Sequence, residues 1–462
     1  MTPLRRVIAA LLAVSAVVAV VFAFTGDPTA SGAAPAAAGA TPMWSARRVP
    51  QPFVAAVGSQ HLQRAIDARI GGPGMCVEVE NGGVTVAATN IDTPLIPASS
   101  QKLLVAAAAL DTLGPDFTYE TKVLAPAAPQ DGTVDQLVFV GSGDPVISSS
   151  DFVGSLDSQP RRKGGVVTSL ELLADSIVNA GVRVVRNGVV GDDSRYDQQR
   201  AVAGWSPSYL AEGDVGPIGA LTVNDGFQSF NPRHPATDPA LYAAAKLTEI
   251  LTTKGVQVGA PSHGVVPPAA VDIATIRSPP LRDIVASMLT TSNAVTAEML
   301  AKELGVRAAS QGTTAAGVAA ITASLQKLGV PVDGLTLVDA SGLHRGNRAT
   351  CRTLLAALQL GSQPRYDALW NGLSVVGEKG TLVDQLLGLG LEGKLAGKTG
   401  FLTGVSSLVG KIDDGTRHFQ FAFLDNGDYS QTVAESLRRD AVEVVNTFPN
   451  APAADQLVPA PA

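Results

Sequence analysis

Cys76 and Cys351 are the only cysteines in 462 residues. That excludes a disulfide-stapled scaffold and leaves open whether the two pair in an exported chain. Histidine is equally sparse: His61, His234, His263, His344 and His418 are scattered without ligand spacing, so no zinc site and no metal cofactor is expected. Positive charge is not in excess. Lysine and arginine number 34 against 41 acidic residues, for a net charge of −7, and no basic stripe is present to neutralise phosphates, which argues against nucleic acid as a partner. No segment recurs at solenoid periods. What remains, 45% hydrophobic and 16% charged residues, fits a folded body with room for two or three domains.

The long hydrophobic run lies at the N-terminus. Arg5 and Arg6 precede residues 7–24, uncharged and broken only by Ser15, so residues 1–25 read as a signal peptide or membrane anchor. Phe22-Ala23-Phe24 is a poor cleavage site, which favours the anchor. Residues 26–48 are Pro/Ala/Gly-rich and read as a tether, and residues 451–462 as a disordered tail. Beyond the tether, residues 53–70 place Phe53, Val57, Leu62, Ile66 and Ile70 at helical spacing. Residues 75–80 and 84–89 alternate around Asn81-Gly82-Gly83 as a hairpin. Residues 136–140 are expected as a strand; 169–180, 241–254, 281–304, 313–328 and 433–445 as helices; and Thr350 as the cap of a helix over 351–360. Residues 406–412 and 417–424 form a second hairpin about Asp413-Asp414-Gly415-Thr416. Asp144, within Gly143-Asp144-Pro145, reads as a turn residue and not as a catalytic acid.

Three short stretches carry chemistry. In Ser99-Ser100-Gln101-Lys102, at the head of the uncharged run 103–110, residues three apart on a helix face each other about 5–6 Å apart at Cβ. An amine desolvated there has a lowered pKa and can take the proton of Ser99. The plainer alternative makes Ser99 a helix cap and leaves Lys102 in solvent. The second stretch is Thr290-Thr291-Ser292-Asn293-Ala294, placed inside or at a break in the 281–304 helix. The third is Gly397-Lys398-Thr399-Gly400, expected at the start of an edge strand with Lys398 as an exposed charge. A phosphate loop is excluded because its first glycine would fall on Glu392.

Ser-x-x-Lys, a Ser/Asn element and Lys-Thr-Gly, in that order, resemble the penicillin-binding proteins and serine β-lactamases. With the companions Gly143-Asp144-Pro145, Leu221-Thr222-Val223-Asn224-Asp225-Gly226 and Asp339-Ala340-Ser341-Gly342-Leu343, the chain resembles the low-molecular-mass penicillin-binding proteins of the D-alanyl-D-alanine carboxypeptidase/endopeptidase type with a large insertion, the peptidase S13 type. The resemblance implies an α/β fold: a serine β-lactamase/DD-transpeptidase-like domain, from residues 49–115 and 275–450, with inserted mostly β subdomains at 116–274. It implies extracytoplasmic hydrolysis of peptidoglycan stem peptides through an acyl-enzyme, without cofactor, and β-lactam antibiotics as covalent inhibitors. Ser99 is then the nucleophile, Lys102 the general base and Ser292 the proton relay. Lys398, Thr399, Gly400 and Phe401 bind substrate, with the backbone N–H groups of Ser99 and Phe401 as the oxyanion hole. Two readings stand beside it, a β-lactamase and an inactive peptidoglycan-binding scaffold. Ser292 comes 190 positions after Lys102, which gives far more room than the compact lactamase needs. The scaffold draws on one departure: where relatives read Ser-x-Asn, Ala294 stands in place of the Asn, leaving Asn293 as a partial substitute.

Overall fold

A computed structural model describes residues 51–449. The expected anchor and tether and the C-terminal tail lie outside the described residues. The described chain opens with α1 (Gln51–Arg69), then β1 (Met75–Asn81) and β2 (Val84–Thr89). Gly82 and Gly83 of their turn both take positive φ, 59° and 81°, which side chains beyond glycine resist. A 3-10 turn at Ala98–Gln101 leads into α2 (Lys102–Thr112). Residues 103–110 of α2 expose no surface, as an apolar run with no polar face requires.

The chain then builds a second sheet from β3 (Glu120–Ala125), β4 (Leu137–Val140), β5 (Val189–Asp192), β6 (Ser262–His263) and β7 (Val271–Arg277), with α3 (Leu170–Asn179) and α4 (Pro239–Thr253) on the connections. Strand order is β6-β5-β4-β3-β7. The pairs β4/β5 and β5/β6 are parallel, as crossovers through α3 and α4 demand, and β3 pairs antiparallel with β4 and β7. Ser169 and Asp238 cap the two helices by accepting from Leu172 N and Leu241 N. Since β3 and β7 are neighbours, the excursion leaves and returns at one point, where Ser278 N donates to Tyr119 O over 3.0 Å.

Four helices of nine residues or more follow, α5 (Leu281–Thr291), α6 (Ala294–Ala309), α7 (Thr314–Lys327) and α8 (Cys351–Gln359). The strands β8 (Ser374–Val375), β9 (Leu395–Leu402), β10 (Val405–Asp413) and β11 (His418–Asn426) precede the last helix, α9 (Gln431–Asn446). The main sheet is antiparallel with order β8-β9-β10-β11-β1-β2. Pairing of β1 with β11 thus joins the two ends of the described chain.

Alternation along each strand divides the core. Phe419, Phe421 and Phe423 of β11 pack with Val77 and Val79 against α1 and α9. Ala422 and Leu424, from the same strand, pack with Val409 against α2 and α8 on the other face. Each buried phenylalanine contributes about 1.5–3 kcal/mol. Cys76 of β1 and Cys351 at the start of α8 form a disulfide between residues 275 apart in sequence. Cys351→Ala should therefore lower stability by about 2–5 kcal/mol, read from urea denaturation. An unchanged midpoint and slope would show that the sheet and helix hold without the bridge.

Candidate active site

Ser99 sits in the 3-10 turn before α2 and caps nothing; the residue at the helix N-cap is Gln101, whose side chain makes no cap bond. The turn is fixed from outside. Pro97 O accepts from Ser100 Oγ at 2.7 Å and from Ser407 Oγ of β10 at 2.8 Å, while Asn426 of β11 holds Ile96 through both N and O. Lys102 is fully buried, and its Nζ donates to Ser99 Oγ at 2.9 Å and to Ser341 O at 2.6 Å. Burial pushes the amine down to about 8, against the opposing pull of Asp339 and Glu298.

The carbonyl that Lys102 touches belongs to a rigid turn. Asp339 accepts from Gly342 N, His344 N, Asn347 Nδ2 and Trp205 Nε1, and Gln101 Nε2 donates to its carbonyl at 2.6 Å. Glu298 Oε1 takes the N–H groups of Ala340 and Ser341. Burial, then the field of Asp339, raises the Glu298 carboxyl to about 7. Gly342 has φ 86°, and a Cβ there would fall 2.0 Å from Ala98 O, so only glycine lets the turn close on Ser99.

Ser292 lies where the expected 281–304 helix breaks. It ends α5 in the left-handed region at φ 59°, and Asn293 starts α6 as its N-cap. This reversal keeps Ser292 in the cavity of Ser99 and swings Asn293 out. The Asn293 amide donates to Asp225 Oδ1 and Oδ2 at 3.0 and 2.9 Å, and its Oδ1 accepts from Thr296 N. Asn293 therefore does not face Ser99 as expected of a substrate-binding residue. Ala294 is buried in an apolar cluster with Ala98, Trp205 and Leu402.

β9 brings the third stretch over Ser99. It is next to the edge and not the edge itself, but β8 pairs only with Ala396 and Gly397, which leaves the strand open from Lys398 onward. Gly400 allows the closeness: a Cβ there would lie 3.0 Å from Ser99 N and 2.2 Å from Ser407 Oγ. Lys398 is fully buried, contrary to the exposed charge expected from its glycine neighbours. Its Nζ donates to Ser292 Oγ and to Thr399 O, both at 2.8 Å. Burial, then the cations of Lys102 and Arg438, hold this amine well below the usual lysine range. Thr399 Oγ1 pairs with Thr381 Oγ1 at 2.8 Å, and Phe401 is 37% exposed. A cavity of about 210 Å³ joins these residues, lined by Ser99, Ser292, Thr381, Thr399 and Phe401 together with Arg161 and Arg438. Asp144 stands elsewhere, buried in a turn and accepting from Val146 N and Thr168 Oγ1. No group of metal-ligating side chains occurs among the described residues.

A hydroxyl held by a low-pKa amine beside an open strand edge is equipped for acyl transfer. Comparison with known proteins agrees. The chain matches the D-Ala-D-Ala carboxypeptidase 3 (S13) family over residues 62–236 and 229–447. It belongs to that family. A carboxypeptidase of Mycobacterium tuberculosis is 32% identical over 357 residues, 72% of each chain. A D-alanyl-D-alanine carboxypeptidase of an Actinomadura species is 30% identical over 413 residues, 72% of this chain and 73% of that one. Penicillin-binding protein 4 of Haemophilus influenzae shares the fold at TM-score 0.68 and 20% identity, over 84% of this chain and 99% of its own. The chain is a serine D-Ala-D-Ala carboxypeptidase of the penicillin-binding class, acting on peptidoglycan peptides outside the cytoplasm, and the lactamase and scaffold readings yield to this one.

Sequence reasoning missed Glu298, Arg161, Arg438 and the Ser341 carbonyl in this carboxypeptidase. Glu298 alone left a trace, an acid six residues past Ser292 in the otherwise uncharged first half of α6. Because Lys398 is buried without a carboxylate partner among the described residues, Lys398→Met should leave Tm unchanged or raised while Ser292 loses its partner. A melting shift equivalent to a loss of more than about 3 kcal/mol would show that the amine is needed for folding.

Proposed function

We propose that Ser99 is the acylated nucleophile and Lys102 its general base; the observation that carries this is the 2.9 Å contact between a fully buried amine and the seryl oxygen. Neutral Lys102 takes the Ser99 proton as Oγ attacks the carbonyl carbon of the penultimate D-alanine. The developing oxyanion is received by the backbone N–H groups of Ser99 and Phe401. As the C–N bond breaks, the proton passes by way of Ser292 to the departing D-alanine amine. Water, activated by the same lysine, then attacks the ester and frees Ser99. Support for the Ser292 step is its hydrogen bond from Lys398 and its place in the Ser99 cavity. Lys398 and Thr399 are assigned to the substrate carboxylate, Thr399 by its hydroxyl and Lys398 through Ser292 and the local field.

A β-lactam presents a strained amide and a carboxylate to the same groups and leaves a stable ester on Ser99. Residues 116–274 form the insertion in this scheme, and 49–115 with 275–450 the catalytic body. Support for that division is that β3 and β7, at the two ends of the insertion, lie side by side. Arg161 from the insertion lines the cavity and pairs with Asp384 at 2.8 Å. Residues 7–24 are proposed to hold the protein at the membrane, on their apolar character alone.

Ser99→Ala should abolish labelling by a fluorescent penicillin while circular dichroism and Tm stay unchanged. Labelling of the alanine variant at the original rate would remove Ser99 from the mechanism. The pH dependence has a defined sign. Lys102 acts as base only when neutral, so the acylation rate constant should rise with pH through about 8 and level off above it. A rate that falls across that range would exclude a lysine base.

A further inference from the structure

Arg438 of α9 is an unusual cation. It is 3% exposed, and no carboxylate lies within ion-pair distance of it among the described residues. Its Nη1 donates to Gln385 Oε1 at 2.8 Å and its Nη2 to Gly400 O at 3.1 Å, while Nε is buried with no partner. A guanidinium buried this way costs stability through desolvation and an unmade hydrogen bond, and packing alone is better served by an apolar side chain. Its contact with Gly400 has a direct chemical reading. Gly400 O and Phe401 N belong to one peptide unit, which is trans, so its C=O and N–H point in opposite directions. A charge-assisted bond to the oxygen fixes the plane of that peptide and draws electron density from its nitrogen, strengthening the N–H as a donor.

We propose that Arg438 is a positioning residue for the oxyanion hole, holding and polarising the peptide between Gly400 and Phe401 through its carbonyl oxygen. This rests on the reading of Phe401 N–H as an oxyanion donor. Phe401 offers no side-chain hydroxyl, so on this side the backbone N–H is the only donor that the residue supplies. Gln385 Oε1 holds the other arm of the guanidinium at the cavity wall. The geometry at Gly400 adds a constraint, since the strand there lies so close to Ser99 that a small rotation of the peptide moves the donor off the reacting oxygen.

The test is the ester carbonyl of the acyl-enzyme formed with penicillin carrying ¹³C at its β-lactam carbonyl, read by infrared difference spectroscopy beside the acylation rate constant. In the unmodified protein the stretch should fall at the low wavenumber of a hydrogen-bonded ester. Arg438→Gln should move it to higher wavenumber and slow acylation on the order of tenfold, part of the 10²–10³-fold that loss of a whole oxyanion donor costs. The constant for the reversible complex should stay unchanged. Arg438→Lys keeps the charge but reaches Gln385 or Gly400 and not both, so it should fall between the two, and it decides the matter if the glutamine variant does not fold. A wild-type wavenumber in the lysine variant overturns the proposal, as does a wild-type wavenumber in a folded glutamine variant; either result leaves the oxyanion reading in place. Absence of a low-wavenumber ester in the unmodified protein overturns that reading and the Arg438 proposal with it.

Discussion

An amine without water is the constraint that the rest of this molecule serves. Lys102 has no exposed surface, and taking an ammonium out of water costs several kcal/mol even after relaxation. The fold meets that cost with two acceptors, Ser99 Oγ and Ser341 O, and with the fields of Asp339 and Glu298. The balance is incomplete by design of the surroundings: the amine is pushed toward neutrality without reaching it fully, which is the state a general base near neutral pH requires. Lys398 makes the constraint sharper. A second amine in the same dry region is likewise held well below the usual lysine range, by burial first and then by the cations of Lys102 and Arg438. Arg438, whose guanidinium does not deprotonate, is left as the permanent charge of the site.

The placing of Ser99 depends on backbone that ordinary residues resist. Ala98 and Ser292 take φ of 47° and 59°, and Gly342 takes 86°. A left-handed non-glycine residue costs on the order of 1–3 kcal/mol. All three positions converge on one place, since Gly342 closes on Ala98 O and Ser292 shares the cavity of Ser99. The strain persists because its neighbours leave no other conformation: Pro97 O is held by two serines, α6 begins immediately after Ser292, and the turn at Asp339 is bonded on every side. Main sheet, helices and insertion each supply part of this enclosure, the insertion through Trp205 on Asp339 and Asp225 on Asn293.

Much of this was legible in the sequence wherever the information was local. The helix at 51–69, the two hairpins, Thr350 as a cap and the Ser99/Lys102 pair are all set by residues within one turn or one hairpin of each other. The burial of Lys398 was not legible. Its neighbours Gly397 and Gly400 carry no apolar signal, and the dry surroundings come from Ser292, Thr381 and α9, between 17 and 106 positions away along the chain. The left-handed turn at Ser292 was also invisible, because serine has no strong preference for that region, and with it went the true direction of Asn293. Pairing of Cys76 with Cys351 follows from the packing of α8 against β1 and β11 and not from spacing.

The alanine at position 294 acquires a physical meaning from these contacts. A neutral lysine amine has two N–H groups and one lone pair. For the proposed base role of Lys102 the lone pair must face Ser99 Oγ, and one N–H is taken by Ser341 O. In the family's usual Ser-x-Asn pattern an amide oxygen is available for what remains, but Ala294 is packed beside Ala98 in apolar surroundings. Fewer acceptors then stabilise the ammonium, and under the proposed mechanism the two halves of the reaction respond in opposite ways. Removing the proton from Ser99 becomes harder because the base is weaker. Returning it toward the leaving amine becomes easier because the conjugate acid is stronger. On the proposed roles the substitution moves the balance between attack and expulsion without removing either: Lys102 keeps its bond to Ser99, and Ser292 keeps its bond from Lys398 in the same cavity.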